Sequence, residues 1–212
     1  MERQDNLIRV EAQGTAEGAP DRASIDVGVS VLEKSVEKAT ARAAGALSSI
    51  LQAIQDFGVD RADLHTMGHS VRAEYDHSGR TRRLAGYRVV DSVRVTVRNI
   101  DRVGEIVDAA TDAGGDHVTV ERITFDIDDP QELESTARGR AWQGALARAT
   151  QLASLAGLEL GSAVWIREGA EPRPAPPGMM MRAAPMAASA DTPIEAGMLA
   201  VAVSLTVAFA ID

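Results

Sequence analysis

The sequence predicts an α+β fold, in which helices pack on a face of a mainly antiparallel sheet. Apolar and polar residues alternate over several runs, which is the period of a half-buried strand. Between these runs, apolar residues recur at spacings of three and four, the pattern of an amphipathic helix. The segments follow the order ββα-ββα-βα-ββ, which departs from the strict alternation of a doubly wound parallel sheet.

The first predicted unit consists of two strands and a helix. One alternating run begins at Leu7 and another extends from Ala23 to Val31, with a turn at 14–20 between them. Because the turn is short and glycine-rich, we expect the two strands to form a hairpin. A helix follows, capped by Ser35 and running to about Phe57.

The second ββα group repeats this pattern weakly. We expect an extended segment over 63–75 and a long strand over 87–97. A shorter helix begins at Asp101 and closes at two glycines, 114–115. The next strand covers 118–127.

The third helix begins at Asp129, because aspartate, proline and glutamate occupy the positions that a capping box favours. It continues to Gly157 with an inward face made mostly of alanine. Small side chains let a helix lie close to a sheet, so we expect close packing there. A short strand is predicted at 162–168 and a long one at 199–211. The regular apolar alternation of the 199–211 strand predicts that it lies inside a sheet and not at an edge.

Composition excludes several classes of function. The chain has 22 basic and 31 acidic residues, a net charge of −9, which argues against a nucleic-acid-binding protein. It contains no cysteine, so disulfides, thiolate chemistry and cysteine-based zinc sites are excluded. No signal-peptide-like or bilayer-length apolar segment occurs, so we expect a cytoplasmic protein as written, or a periplasmic or cell-envelope protein if a leader has been trimmed.

Three residues of the 63–75 segment suggest a metal site. His65, Met67 and His69 alternate and would share one face of a strand, where imidazole and thioether suit copper or zinc. The competing interpretation is a polar, half-exposed sheet face, which we favour because no further ligand is identifiable.

No residues predict an enzyme. The acids Asp126, Asp128 and Asp129 lie where a strand ends and a helix must be capped, which is a structural explanation for them. The chain has no Gly-x-Ser-x-Gly elbow and no phosphate-binding glycine motif. We therefore expect no catalytic residues, no cofactor and no resident metal.

Arginines gather around the 76–81 turn. A set of five lies within one hairpin: Arg72, Arg80, Arg82, Arg83 and Arg88. They suit an anionic ligand, an acidic patch of a second subunit, or simply a solvated hairpin tip. With a net charge of −9, contact with an acidic patch of a second copy competes with binding of an anionic ligand, and the solvated hairpin tip is the interpretation that we favour.

A proline- and methionine-rich loop covers 169–193. It contains Met179, Met180, Met181 and Met186. A thioether copper site, an oxidisable patch and a disordered linker are alternatives. We favour an interface, because flexible apolar side chains adapt to a partner surface.

The ordered set of segments resembles the SIMPL-domain family of bacterial proteins, whose biochemical activity is unknown. The matching pieces are VEAQGTAEGAPDRASIDVGVS, DLHTMGHSV, GYRVVDSVRVTVRNIDRVGEIVDAATDAGG, ITFDIDDPQELESTARGRA and PIEAGMLAVAVSLTVAF. Together they cover nearly the whole chain, so 1–212 is expected to be a single SIMPL-like domain. Departures are the missing export signal and a first turn in which Gly14 is followed by Thr15 and Ala16.

The resemblance implies an α+β fold, a tendency to self-assemble and, for many members, export to the periplasm or envelope. Some members are linked to oxidative-stress tolerance or are surface antigens. The family has no established catalytic residues to carry over. The resulting hypothesis is a non-enzymatic homo-oligomer with contacts through the methionine loop and Arg80, Arg82 and Arg83. The alternative is a small-ligand or metal-binding stress protein that uses the histidines or the methionine loop.

Overall fold

The computed structural model describes residues 6–76, 82–169 and 194–212. These residues confirm the α+β class and the order of elements. In chain order the strands and helices are β1 (Leu7–Gly18), β2 (Arg22–Glu33), α1 (Val36–Asp56), β3 (Leu64–Asp76), β4 (Arg83–Val97), α2 (Val103–Gly114), β5 (Val118–Asp126), α3 (Gln131–Ala156), β6 (Leu160–Glu168) and β7 (Leu199–Ile211).

The strands form two antiparallel sheets, each within its own compact unit. The first unit contains β1, α3, β6 and β7, and its sheet has the order β1-β7-β6. The second unit contains β2, α1, β3, β4, α2 and β5, and its sheet has the order β3-β4-β2-β5. The last strand, β7, lies in the middle of its sheet, as its apolar alternation predicts.

The expected β1–β2 hairpin is wrong. β1 pairs with β7 along its whole length, from Leu7 opposite Ala210 to Gly18 opposite Leu199, whereas β2 pairs with β4 and β5. The reason is the fit of long apolar faces: Val10 lies opposite Val207 in the shared core. A short turn signal cannot choose between a neighbouring strand and a distant one that matches over twelve residues.

The core of the second unit consists mainly of branched side chains. β2 and β4 contribute alternate valines, and the helices α1 and α2 cover them. Ser35 caps α1, accepting the N–H of Lys38 at 3.4 Å, as predicted. Gly58 follows the end of α1 with a φ of 88°, a conformation that glycine adopts without strain.

The core of the first unit depends on small residues. The alanines of α3 at 137, 141, 145 and 149 are fully buried against β1 and β7, which confirms the predicted close packing. Gly14 on β1 is required for it: an added Cβ would lie 2.0 Å from the carbonyl oxygen of Ala137. The start of α3 differs from the prediction. The carboxylate of Asp129 accepts a hydrogen bond from the N–H of Gln131. Among the described residues, Glu132 forms no hydrogen bond that would complete a capping box.

Candidate functional site

The two predicted metal-binding histidines lie on opposite faces of the sheet. The β3–β4 register places His65 opposite Arg94 and His69 opposite Asp91. A bulge at Met67 shifts the register between them. Because one extra residue in a strand reverses the direction of every later side chain, the expected shared face is wrong.

His69 instead contacts a buried carboxylate. Asp91 is 9% exposed and is the charged side chain that the described residues bury in the core of the second unit's sheet. The Nδ1 atom of His69 lies against its Oδ1 atom, and 55% of the histidine side chain is exposed. Since a buried carboxylate without a partner is costly, the pair has a structural role.

The acidic cluster is held in ion pairs. Arg22 donates to Asp126 at 2.8 Å and also contacts Asp128. The Arg22 guanidinium, and then the N–H of Ile127, hold the pKa of Asp126 below its ordinary value. A carboxylate stabilised in its charged form is a poor general acid, so these contacts support a structural role.

The arginine hairpin is partly neutralised within its own sheet. Arg88 forms a two-point contact with Glu74 and donates to Ser30 at 3.0 Å. The guanidinium of Arg82 lies 3.7 Å from the centroid of the Tyr75 ring. Arg82 and Arg83 are exposed. They therefore form an exposed cationic surface at the start of β4, next to the segment that joins β3 to β4.

Several of the predicted interface residues are not among those described. Arg80 and the four methionines, Met179, Met180, Met181 and Met186, lie outside the described residues. The contact predicted for 169–193 therefore stays a prediction.

The sequence analysis missed an apolar surface on the first unit. Over 143–158 the chain has a single charged side chain, Arg148. The surface comprises seven exposed large apolar residues of α3, its C-terminal turn and β6: Leu146, Leu152, Leu155, Leu158, Val164, Trp165 and Ile166. The exposure of Leu155 reaches 77%. We call these seven residues the apolar surface; they lie on more than one side of the unit, since Trp165 is opposite Ala208 and Ile166 is opposite Val207 on alternate faces of the sheet.

The two edges of the first unit's sheet differ. On the β1 edge, Arg140 donates to the carbonyl oxygen of Thr15 and Arg148 to that of Glu11. Eight helical residues rise about 12 Å and four strand residues about 13 Å, so the two arginines match alternate outward carbonyls. Side chains of α3 therefore cover part of the β1 edge.

At β6, the other edge strand, a side chain covers the face of the sheet and not its edge. Trp165 lies in a row with Ala208 and Arg9, on the face of the sheet away from the alanine core. The Arg9 guanidinium stacks 5.3 Å from the Trp165 ring centroid, and Ala208 beneath is 1% exposed. The indole thus shields the middle strand and still leaves 42% of its residue surface exposed.

Two features are absent from the described part of the chain. None of its helices has the length and apolar content needed to cross a membrane. Among the same residues, no group of three or more histidine, aspartate or glutamate side chains is arranged to hold a metal ion.

These features define a class: an α+β protein with two antiparallel sheet-and-helix units, in which many of the described arginines and carboxylates form ion pairs. The chain belongs to the SIMPL family, described as a protein of unknown function (DUF541), whose sequence model matches residues 8–209.

Proteins similar to this chain occur in bacteria. The chain is 31% identical over 223 residues to the "26 kDa periplasmic immunogenic protein" of Brucella melitensis, covering 100% of this chain and 87% of that protein. It is 25% identical over 177 residues to the "Uncharacterized protein YggE" of Escherichia coli, covering 82% of this chain and 71% of that protein. Both are members of the same family.

Proposed function

We propose that the chain, 1–212, acts as one SIMPL-like domain that is non-enzymatic and works by assembling into a homo-oligomer. The observation that carries this proposal is the apolar surface of the first unit, where α3 and β6 expose large side chains to solvent. A second copy that covers this surface removes apolar area from water. The burial is favourable by about 25 cal/mol for each Å² of apolar area, before the cost of association is subtracted.

The ion pairs formed by arginine and carboxylate side chains support a non-enzymatic role. Among the described residues, five arginines make two-point or bridging contacts with carboxylates, and the acceptors include Asp26, Glu74 and Asp126. The pKa values of these three carboxyls are lowered, in each case mainly by the hydrogen bond from an arginine. Structural ion pairs of this kind serve the fold, whereas catalytic acids need raised values near the working pH.

The contacts of the assembly include charged ones. We assign Arg82 and Arg83, with Arg80, to the acidic surface of a neighbouring copy, since the chain carries a net charge of −9. The loop 169–193 with its four methionines supplies an adaptable apolar contact. Assembly through these contacts is sensitive to ionic strength at the arginines and insensitive at the methionines.

The Brucella relative is named as a periplasmic protein, and this name supports a role for the present chain in the cell envelope. We infer from this name that the gene product acts in the periplasm, and we propose separately that it contributes there to tolerance of stress. Fractionation of cells that express the complete native gene tests the location. Recovery with the periplasmic marker supports it, and recovery with the cytoplasmic marker overturns it in favour of the cytoplasmic alternative.

Light scattering coupled to size-exclusion chromatography tests the assembly. The full chain is expected to have a mass that is a multiple of 22.4 kDa. A deletion of 170–193, with a short glycine-serine bridge, and the double substitution Arg82→Glu/Arg83→Glu should each reduce the assembled fraction. Arg61→Glu, on the short turn before β3, is the matched charge control. A full chain that stays monomeric at high concentration contradicts the proposal.

A further inference from the structure

The outer edge of β6 presents unpaired backbone groups. In the sheet order β1-β7-β6, the described strands pair β6 on the β7 side. Gly169 donates its N–H to the carbonyl of Ser204 at 3.1 Å, and in an antiparallel ladder alternate residues bond the same neighbour. The N–H and C=O groups of Ile166 and Glu168 therefore point away from β7, at the edge of the sheet.

Three consecutive apolar side chains lie at this edge, after register irregularities in the first half of β6 and before the charged residues Arg167 and Glu168. Val164 and Ile166 are each 54% exposed and Trp165 is 42% exposed. Natural edge strands that must not pair usually carry charges or are covered. The β1 edge of the same sheet is covered in this way by Arg140 and Arg148. The stretch of β6 from Val164 to Ile166 carries no charge, and we take this part of the edge as available for strand pairing.

We propose that β6 pairs antiparallel with β6 of a second copy, across a two-fold axis, and joins two three-stranded sheets into one of six strands. This inference rests on the proposed self-assembly and names the surface responsible. Edge-to-edge pairing supplies backbone hydrogen bonds that are the same in both directions, as a two-fold interface requires.

The side chains of β6 select one register. Because Ile166 and Glu168 carry the outward backbone groups, an even-numbered residue must lie opposite an even-numbered residue. A register centred on Arg167 would place two guanidinium groups opposite each other, which is destabilising. A register centred on Ile166 places Arg167 opposite Trp165 twice, and a guanidinium over an indole is favourable.

The same register explains why the occupant is a second copy. An unrelated strand could satisfy the backbone groups, but the pairing of Arg167 with Trp165 is reciprocal in two identical strands. Glu168 then lies opposite Val164, where β6 has a register irregularity, and the Glu168 carboxylate is already bound by Arg138 at 2.7 and 2.8 Å. No unpaired carboxylate is therefore brought into the interface from this position.

A cysteine scan tests the register in the full chain, which has no native cysteine. The variants are Ile166→Cys, Arg167→Cys and Glu168→Cys, each oxidised with diamide and analysed on non-reducing gels. Two Ile166 positions opposite each other have Cα atoms about 5.5 Å apart, within disulfide range. Two Glu168 positions are about 13 Å apart along the strands and outside it.

We expect Ile166→Cys to give the covalent dimer and Glu168→Cys to give none above the level of the wild-type lane. Cross-linking that is strongest for Arg167→Cys overturns the register. An assembled protein in which none of the three variants cross-links overturns the β6 pairing itself.

A second pair of variants tests backbone pairing without cross-linking. Ile166→Pro removes the outward N–H, and Ile166→Thr keeps it, while both remove the same large apolar side chain. The ladder with β7 is unaffected because the Ile166 N–H points away from it. Light scattering should show at least a twofold lower mass for the proline variant and the wild-type mass for the threonine variant, with matching melting curves.

The possible outcomes separate the two proposals. A monomeric wild-type chain refutes the proposed self-assembly and this inference together. A wild-type oligomer whose mass is unchanged by Ile166→Pro refutes only the β6 pairing. Loss of mass in both variants would assign the contact to the isoleucine side chain and refute strand pairing.

Discussion

Both units pack helices on an antiparallel sheet, but their cores are built from different side chains. The second unit fills its core with valine and isoleucine under two helices and neutralises its arginines with carboxylates. The first unit brings α3 close with alanine over Gly14, and uses Arg140 and Arg148 on backbone carbonyls. It also exposes the apolar surface. Both units expose large apolar side chains, and the most exposed of those described, Leu155 at 77%, belongs to the first unit.

The largest effect is expected at the close contact of the first unit. Gly14→Ala places a Cβ 2.0 Å from the Ala137 carbonyl oxygen and 2.4 Å from the Ala141 nitrogen. Both neighbours are backbone atoms and cannot rotate away. We expect a loss of about 3 kcal/mol or more in the free energy of unfolding, measured by urea denaturation.

The matched control is Gly139→Ala on α3, where an added Cβ meets nothing within 4 Å. It should stabilise the protein by roughly 0.5–1 kcal/mol, because alanine is the better helix former. Equal effects at the two positions would show that α3 does not lie against β1 as described.

The next effect separates the two cores. Phe209→Ala in the first unit should cost about 3–5 kcal/mol, and Val27→Ala in the second about 2 kcal/mol. Both tryptophans of the chain, Trp142 and Trp165, belong to the first unit. Tryptophan fluorescence should therefore follow Phe209→Ala closely, while far-UV circular dichroism responds to both variants. Identical shifts of the two signals in both variants would show that the units unfold together.

A smaller effect is expected at the covered edge of β1. The double substitution Arg140→Gln/Arg148→Gln uncovers two backbone carbonyls at a cost of about 1 kcal/mol. The freed edge should then increase higher-order association, seen as larger particles in light scattering. Arg42→Gln, which removes an arginine paired with Glu33 in the second unit, is the control. Greater association in the control would mean that lost charge, and not the edge, is responsible.

The smallest effect concerns pH in the second unit. The hydrogen bond from Arg94, at 2.7 and 2.9 Å, lowers the pKa of Asp26. A carboxyl with a lowered pKa stabilises the fold above its unfolded value, about 4, and loses that contribution as pH falls through the folded value. Asp26→Asn should therefore cost up to about 1 kcal/mol at pH 7 and progressively less as the pH falls below about 4.

Denaturation of Asp26→Asn and Asp116→Asn across this pH range measures the difference. Asp116 is exposed on the turn after α2 and serves as the control carboxylate. A deficit that stays constant from pH 7 to pH 2 would assign the effect of Asp26 to something other than its ionisation.

Local patterns predicted the elements well. Alternation in β2, β4 and β7, the Ser35 cap and the alanine face of α3 are properties of neighbouring residues, and the structure confirms each. They follow from side-chain periodicity, which is readable along a single segment.

What failed was information about distant segments. The β1 partner depends on β7, almost the whole chain away, and the bulge at Met67 has no glycine or proline at that position to mark it. The arginine contacts to β1 join residues 125 and 137 positions apart. The exposure of Trp165 and Ile166 likewise depends on where β6 falls in the sheet, which alternation does not specify.

Amide hydrogen exchange along β6 tests the central claim most directly. At protein concentrations where the chain is assembled, the amides of Ile166 and Glu168 should exchange as slowly as those of Trp165 and Arg167, which bond β7. On dilution to the monomer, exchange at Ile166 and Glu168 should become fast while the other two stay protected. Fast exchange at Ile166 and Glu168 in the assembled protein would contradict the account.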